Sequence, residues 1–333
     1  MKVLVTGGTG YIGSHTCVEL LKNGYEVVII DNLSNSSNDV VDRIKKITNK
    51  DLKFYFGDVS DKELLRRIFT ENKIDAVIHF AGYKAVGESV KLPLKYYDNN
   101  LYSTICLCEV MKEFSCKKIV FSSSATVYGI PKTLPIKEDE ALSTTNPYGT
   151  TKLMIEQILK DLYVSDNEFS IAVLRYFNPI GADKSGLIGE NPNGIPNNLM
   201  PYIVKVALNK LEILSVFGSD YDTPDGTGVR DYIHVVDLAR GHIKAIEHVM
   251  KQTGIDYYNL GTGVGYSVLD IIKTFEKVNN VKVNYKIVDR RPGDIASSYA
   301  DVTKSYKELG FKTIYTLEDM CKDAYNFAIK NDI

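Results

Sequence analysis

No apolar run in this sequence approaches membrane-spanning length, and residues 2–6 already read as a strand, so neither a transmembrane helix nor a signal peptide is expected. Cysteine is scarce. Cys17, Cys106, Cys108, Cys116 and Cys321 are odd in number and include no Cys-x-x-Cys pair, which argues against a disulfide framework and for reduced thiols in the cytoplasm. An excess of one charge is missing too: 40 Lys+Arg face 42 Asp+Glu, and a formal net charge of −2 gives no bulk attraction to nucleic acid or an anionic membrane. His79 falls inside an apolar strand pattern, and His234, His242 and His248 lack an acidic residue at ligand spacing, so no metal site is expected. Repeats and low-complexity segments are also absent. What remains is the composition of an ordinary globular chain, whose 333 residues suffice for two domains or one large domain with a lobe.

Short, continuously apolar strands alternate with helical patterns through the first half. Strands are expected at Val3–Val5, Val27–Ile30, 52–56, Ala76–Phe80, Ile119–Ser122 and Ile171–Tyr176. Helices are expected after Gly13, over about 35–49, 61–72 and 93–115, and from Pro147. Apolar strands without polar alternation imply a parallel sheet covered on both faces, a doubly wound Rossmann-type α/β layout with ligands at the C-terminal strand ends. After Asn178 the texture changes to Gly-, Asn- and Pro-rich loops at 178–197 and 217–230, with a final helix near Thr316–Lys330. The division expected is a dinucleotide domain over 1–177 and a smaller α/β substrate lobe over 178–333, with 231–261 a candidate to return to the large sheet.

Gly8-x-Gly10-x-x-Gly13 lies in the first strand-to-helix turn, where glycines permit a tight turn and close approach of a pyrophosphate to the helix N-terminus. Asp31, 18 residues after Gly13, ends the second strand and is placed to accept ribose hydroxyls. A carboxylate there repels a 2′-phosphate, and Asn32-Leu33 offer no arginine for one, so NAD is favoured over NADP. Asp58 reads equally as a cap on the adenine amine or a solvated turn residue. Phe80-Ala81-Gly82 ends the fourth strand with small residues that let a cofactor pass, while Lys84 and Asn99 are either phosphate and ribose contacts or surface residues.

Asn146 reads as a helix N-cap and Pro147 as the first helical residue, which places Tyr148 and Lys152 at i and i+4 on one face of the opening turns. A phenol beside an ammonium makes a base out of a weak acid. Action at pH 7 needs a downward shift of roughly 3 units, about 4 kcal/mol. One cation at about 5 Å in an effective dielectric of about 20 supplies roughly 3 kcal/mol, so the lysine alone nearly suffices and a second cation nearby would complete the shift. Tyr128 and Lys132 share the spacing, but Gly129 and Pro131 between them deny that pair a helix. Ser122–Ser124 end the fifth strand, and with Tyr148 nearby Ser124 becomes a candidate partner for both the phenol and a substrate hydroxyl.

Thr6-Gly-Gly-Thr-Gly-Tyr-Ile-Gly13, Ser122-Ser-Ser-Ala-Thr-Val-Tyr-Gly129 and Tyr148-x-x-x-Lys152 resemble the extended short-chain dehydrogenase/reductases. Within them the chain is similar to the branch that epimerises UDP-glucose at C4. The similarity extends through Phe80–Val90, Leu174–Pro179, Asn197–Tyr202 and Gly226–His234, and runs from Met1 to about Asn326. The resemblance implies an NAD site formed by Gly7, Gly10, Tyr11, Ile12, Gly13, Asp31, Asn32, Asp58, Val59, Phe80, Ala81, Lys84, Asn99, Ser122, Tyr148, Lys152 and Tyr176. It implies UDP-hexose substrates, with Tyr148 as base, Lys152 lowering its pKa and Ser124 bonding the 4′-hydroxyl. It places Arg230 and Arg291 on the diphosphate, Asn178, Asn198 and Leu199 on sugar and phosphates, Phe217 by the uracil and Asp294 on the uridine ribose. Ser298 falls where a small residue accompanies acceptance of N-acetylated sugars. A homodimer through helices near 93–115 and 148–166 is implied as well.

Two rivals are set aside on residues. Nucleotide-sugar 4,6-dehydratases carry an Asp-Glu pair before Val-Tyr-Gly, where this chain has Ala125 and Thr126, neither a usable acid. A redox-sensing regulator on the same fold has no need of Ser124, Tyr148 and Lys152 together.

Overall fold

The computed structural model describes residues 1–192, 196, 198–291 and 293–333; Asn197, which opens the Asn197–Tyr202 stretch, lies outside the described residues. The first half runs β1 (Lys2–Thr6), α1 (Tyr11–Lys22), β2 (Glu26–Asp31), α2 (Asp39–Thr48), β3 (Lys53–Phe56), α3 (Lys62–Glu71), β4 (Ala76–His79), α4 (Val86–Lys91), α5 (Pro93–Glu113) and β5 (Lys118–Ser124). A 3-10 turn at Ala125–Tyr128 precedes α6 (Pro147–Ser165) and β6 (Ser170–Tyr176). Then come β7 (Asn178–Ile180), α7 (Leu199–Ala207), β8 (Leu214–Phe217), β9 (Val229–His234), α8 (Val235–Val249) and β10 (Gly254–Leu260). The chain ends through β11 (Gly265–Ser267), α9 (Val268–Asn279), β12 (Tyr285–Val288), β13 (Ser297–Ser298), α10 (Thr303–Leu309) and α11 (Leu317–Asn331).

The six strands expected from apolar runs pair in parallel with β10 into a seven-stranded sheet, order β10-β6-β5-β4-β1-β2-β3. Burial on both sides explains their unbroken apolar sequences. In β1, Val3 and Val5 face a core shared with Leu20 of α1 and Ile246 of α8, while Leu4 faces the opposite core with Leu107 of α5 and Ile155 of α6. The order reverses beside β1, so the glycine turn after β1 and the end of β4 flank the crevice where such sheets bind ligands.

A four-stranded sheet (β11-β9-β13, with β7 on β9) and a two-stranded one (β12-β8) accompany a separate core built on Met200, Ile203, Phe275 and Met320. Within 231–261, β9 belongs to this smaller assembly whereas β10 adds to the large sheet beside β6. Two features depart from the sequence expectation: α4 was not foreseen, and β7 lies inside a segment expected to be loop. Six and three residues are too few for a periodic pattern to stand out.

Candidate active site

The first turn of α6 forms as its sequence dictates. Asn146 is extended, with φ −156° and ψ 158°, and its side chain accepts from the Gly149 N–H at 2.9 Å while Pro147 occupies the first helical turn. This aims Tyr148 and Lys152 together at the C-terminal end of β5. Tyr128 instead is buried, with its hydroxyl donated to Asn259 Oδ1 at 2.6 Å, and Lys132 is exposed on the following loop, so the second Tyr/Lys spacing builds no pair.

A cleft of about 790 Å³ opens along the strand ends, and all seventeen residues expected at the dinucleotide line it. Gly7 turns the chain with φ +69°, and a Cβ on Gly13 would stand 2.2 Å from the Gly7 carbonyl oxygen, so α1 starts as close to β1 as backbone allows. Gly10 caps α1 without a side chain, which leaves the helix N-terminus open to an anion. At the end of β2 the Asp31 carboxylate accepts from the Thr9 N–H at 3.0 Å and the Leu33 N–H at 2.9 Å. Asp58 accepts from Asn32 at 2.8 Å and from the Ser60 N–H at 2.8 Å; burial pulls its pKa up, but the Ser60 and Asn32 bonds outweigh that and hold it below the usual range. Arg43 also lines the cleft, which the sequence did not signal, but it is tied to Asp39 at 2.7 Å and to the Leu187 carbonyl at 2.8 Å.

Deep in the cleft, Lys152 Nζ donates to the Ser122 carbonyl at 2.7 Å and lies 5.9 Å from the Tyr148 ring and 4.9 Å from the Phe121 ring. Burial pushes Lys152 down to about 8, partly countered by Glu156. Burial pushes Tyr148 up to about 12, and its hydrogen bond with Ser124 draws it back only in part. The direction corrects the simple expectation of a phenol already lowered by lysine: a dry site penalises the phenolate more than this arrangement compensates. Beside them Tyr176 hydrogen-bonds His242, and His79 is held between Thr6 at 2.7 Å and Thr104 at 3.0 Å. Burial first, then Lys152, pushes His79 down to about 3, so it is neutral.

The residues expected at the substrate are brought together less completely. Asn198 lines the cleft and donates to Glu190 at 2.6 Å, and Glu190 also meets Lys84 at 3.4 Å. Sequence reasoning missed Glu190, which links the two halves of the molecule, because its partners are 106 and eight residues away. Phe217, Arg291 and Asp294 converge. Arg291 sits 5.4 Å over the Phe217 ring and pairs with Asp294 through bonds of 3.1 and 2.9 Å. Arg230 donates to the Val229 carbonyl at 2.8 Å, and Ser298 is its register partner between β13 and β9. Asn178 opens β7 and Leu199 opens α7; with Ser124, Phe217, Arg230, Arg291, Asp294 and Ser298 they lie outside the lining of the main cleft.

Two histidines do have carboxylate partners in space, His234 with Asp323 at 3.3 Å and His248 with Asp256 at 2.9 Å. Among the described residues no group of three or more ligating side chains could hold a metal, and no helix is long and apolar enough to cross a membrane.

The sequence model of the GDP-mannose 4,6 dehydratase family matches residues 4–324. The UDP-glucose 4-epimerase of Bacillus subtilis (strain 168) is 64% identical over 331 residues, 99% of this chain and 98% of that protein. The crystal structure of UDP-glucose 4-epimerase from Bifidobacterium longum, in complex with NAD+ and UDP, superposes with a TM-score of 0.96 at 57% identity, covering 100% of this chain and 99% of that one. That of Stenotrophomonas maltophila, with bound NAD and formylated UDP-arabinopyranose, gives a TM-score of 0.98 at 49% identity over 100% of both chains.

Proposed function

The chain belongs to the UDP-glucose 4-epimerase family, and from that premise we propose that it interconverts UDP-glucose and UDP-galactose with NAD in the main cleft. The observation that carries this reading is the convergence of Tyr148, Lys152 and Ser122 with every expected dinucleotide residue on one cavity wall. The residues fit the cofactor: the uncapped α1 N-terminus and the crowded Gly7–Gly13 turn suit a pyrophosphate, and the fixed Asp31 carboxylate suits a ribose diol. NAD held there supplies the hydride acceptor, and later the donor, at sugar C4.

The protein's own residues handle the proton. Tyr148 takes it from the 4′-hydroxyl and Ser124 orients that hydroxyl, and the same pair returns it once the 4-keto sugar has turned over. Lys152 holds a positive charge beside the phenolate through each cycle. Ala125 and Thr126 supply no acid for loss of water, which favours epimerisation over the dehydration named in the matching family model.

The lobe after residue 177 binds the UDP portion in this reading, with Arg230 and Arg291 on the diphosphate. Arg291 must then exchange its Asp294 partner for phosphate, which frees Asp294 for the ribose. Ser298 leaves room for a 2′-N-acetyl group. Turnover of UDP-galactose and UDP-N-acetylgalactosamine, measured side by side without added NAD, tests both points. Both should turn over, and Ser298→Tyr should lower the N-acetyl rate by about 10-fold or more while UDP-galactose changes little. Intact N-acetyl activity in that variant would remove Ser298 from the specificity argument.

Exposed apolar side chains gather on the neighbouring helices α5 and α6, where Leu94 is 80% and Met154 43% exposed. These faces support a homodimer, to be checked by sedimentation; a monomer at micromolar concentration would refute it. Five free, buried thiols suit a reducing cytoplasm.

A further inference from the structure

Two consecutive residues at the end of β5 are bonded to α6, and the third, Ser124, lies beside Tyr148 and draws its pKa down. The Ser122 carbonyl accepts from Lys152 at 2.7 Å, and the Ser123 hydroxyl donates to Glu156 Oε1 at 2.5 Å. The helix partners Tyr148, Lys152 and Glu156 stand at i, i+4 and i+8, one stripe along α6. Glu156 is 2% exposed, and a fork from Arg175 on β6 fixes its carboxylate, Nε to Oε1 at 3.1 Å and Nη2 to Oε2 at 2.8 Å. Arg175 is fixed in turn by donating to the Tyr128 hydroxyl at 3.0 Å and the Glu138 carbonyl at 2.9 Å. Among the described residues Lys152 is in no ion pair within 4.0 Å, yet its ammonium is buried.

We propose that Glu156 is a positioning residue for the Tyr148–Lys152 pair: it anchors the Ser122–Ser124 strand end to α6 and supplies the negative charge that keeps the Lys152 ammonium protonated in a dry site. The proposal rests on the catalytic reading of that pair given above. Among the described residues the other groups near the pair offer no free negative charge: Glu88 of α4 lines the same cleft, but its carboxylate is taken by Lys95 at 2.9 Å and the Tyr96 hydroxyl at 2.8 Å. From β4 comes neutral His79, from β5 the Phe121 ring and Ser122 carbonyl, from α5 Tyr96 and from β6 Tyr176. Facing Glu156 itself are Ser123, Arg175 and Tyr257 of β10. Among the described residues Glu156 is also a charge that acts to raise the Lys152 pKa.

The test is the pH profile of kcat for the NAD-loaded enzyme with UDP-galactose, in Glu156→Gln, Glu156→Asp and the doubly neutral Glu156→Gln/Arg175→Met. Loss of the Lys152 proton sets the alkaline limb. It should move down by about one unit in Glu156→Gln, with kcat at pH 8.5 falling about 10-fold against wild type. In the doubly neutral variant, where the Arg175 countercharge is gone too, it should move down by a smaller but resolvable amount, and in Glu156→Asp it should stay near its wild-type position. Should Glu156→Gln fail to fold because Arg175 is left unpaired, the doubly neutral variant carries the test, since it buries no lone charge. A wild-type limb in the doubly neutral variant, a limb shifted as far in Glu156→Asp, or failure of the doubly neutral variant to fold would each make Glu156 merely structural and overturn the proposal. Lys152→Met run alongside separates the two readings: if it keeps full turnover the catalytic pair itself is wrong, and if it is inactive only the role of Glu156 is at stake.

Discussion

Tyr148→Phe is expected to lower kcat for UDP-galactose by about 10³-fold, while the chain still folds and keeps its dinucleotide. The change deletes one oxygen. The ring stays on the first turn of α6, whose capping by Asn146 does not involve the hydroxyl, and the glycine turn and Asp31 are untouched. In the proposed mechanism what is lost is the group that removes the 4′-hydroxyl proton, so KM should move far less than kcat. The structure also sharpens the demand on that oxygen. With burial holding the phenol at about 12, a base acting at pH 7 needs a shift of roughly 5 units, about 7 kcal/mol, rather than the 4 first reckoned. Two cations at roughly 3 kcal/mol each, the Lys152 ammonium and the oxidised nicotinamide, come close to meeting it. Steady-state turnover of the purified variant checks this; retention of more than about a tenth of wild-type kcat would exclude Tyr148 as the base.

Lys152→Met separates activity from stability in opposite directions. Activity should fall about 10²-fold or more, because the phenolate loses its permanent cation. The cofactor-free variant should nevertheless melt no lower than wild type at pH 7. Burial depresses the Lys152 pKa from 10.5 to about 8, so below pH 8 the folded chain holds a costly buried ammonium, a penalty of roughly 3 kcal/mol. The folded state binds fewer protons than the unfolded one between pH 8 and 10.5, so this penalty fades as pH rises through that window. Methionine removes it at the cost of one hydrogen bond to the Ser122 carbonyl, worth about 1 kcal/mol. Melting of both proteins at pH 7 and pH 10 reads the difference: the advantage of the variant should shrink at pH 10, and a variant several degrees less stable at pH 7 would contradict the burial argument.

The dinucleotide half was legible because its signals are local. Strands buried on both faces read as unbroken apolar runs, the glycine turn sits within eight residues, and the α6 cap is spelled by Asn146 and Pro147 side by side. What stayed hidden depends on residues far apart in the chain. Glu156 meets Ser123 across 33 positions and Arg175 across 19, Glu190 meets Lys84 across 106, and His234 meets Asp323 across 89. No spacing rule marks such pairs. The second half was hardest, because β7 and β13 have three and two residues, below the length at which alternation becomes visible. The sign of the Tyr148 shift was hidden for another reason. The i, i+4 spacing gave the attraction of Lys152 but carried no measure of desolvation, which depends on the whole cleft.

The most direct test of the account is a spectrophotometric titration of the Tyr148 phenolate, taken as the difference between wild type and Tyr148→Phe, with and without bound NAD+. Ionisation is expected near pH 12 in the cofactor-free chain, falling by about two units or more once NAD+ adds its cation. A Tyr148 that still ionises above pH 10 with NAD+ bound, in an enzyme turning over fully at pH 7, would contradict it.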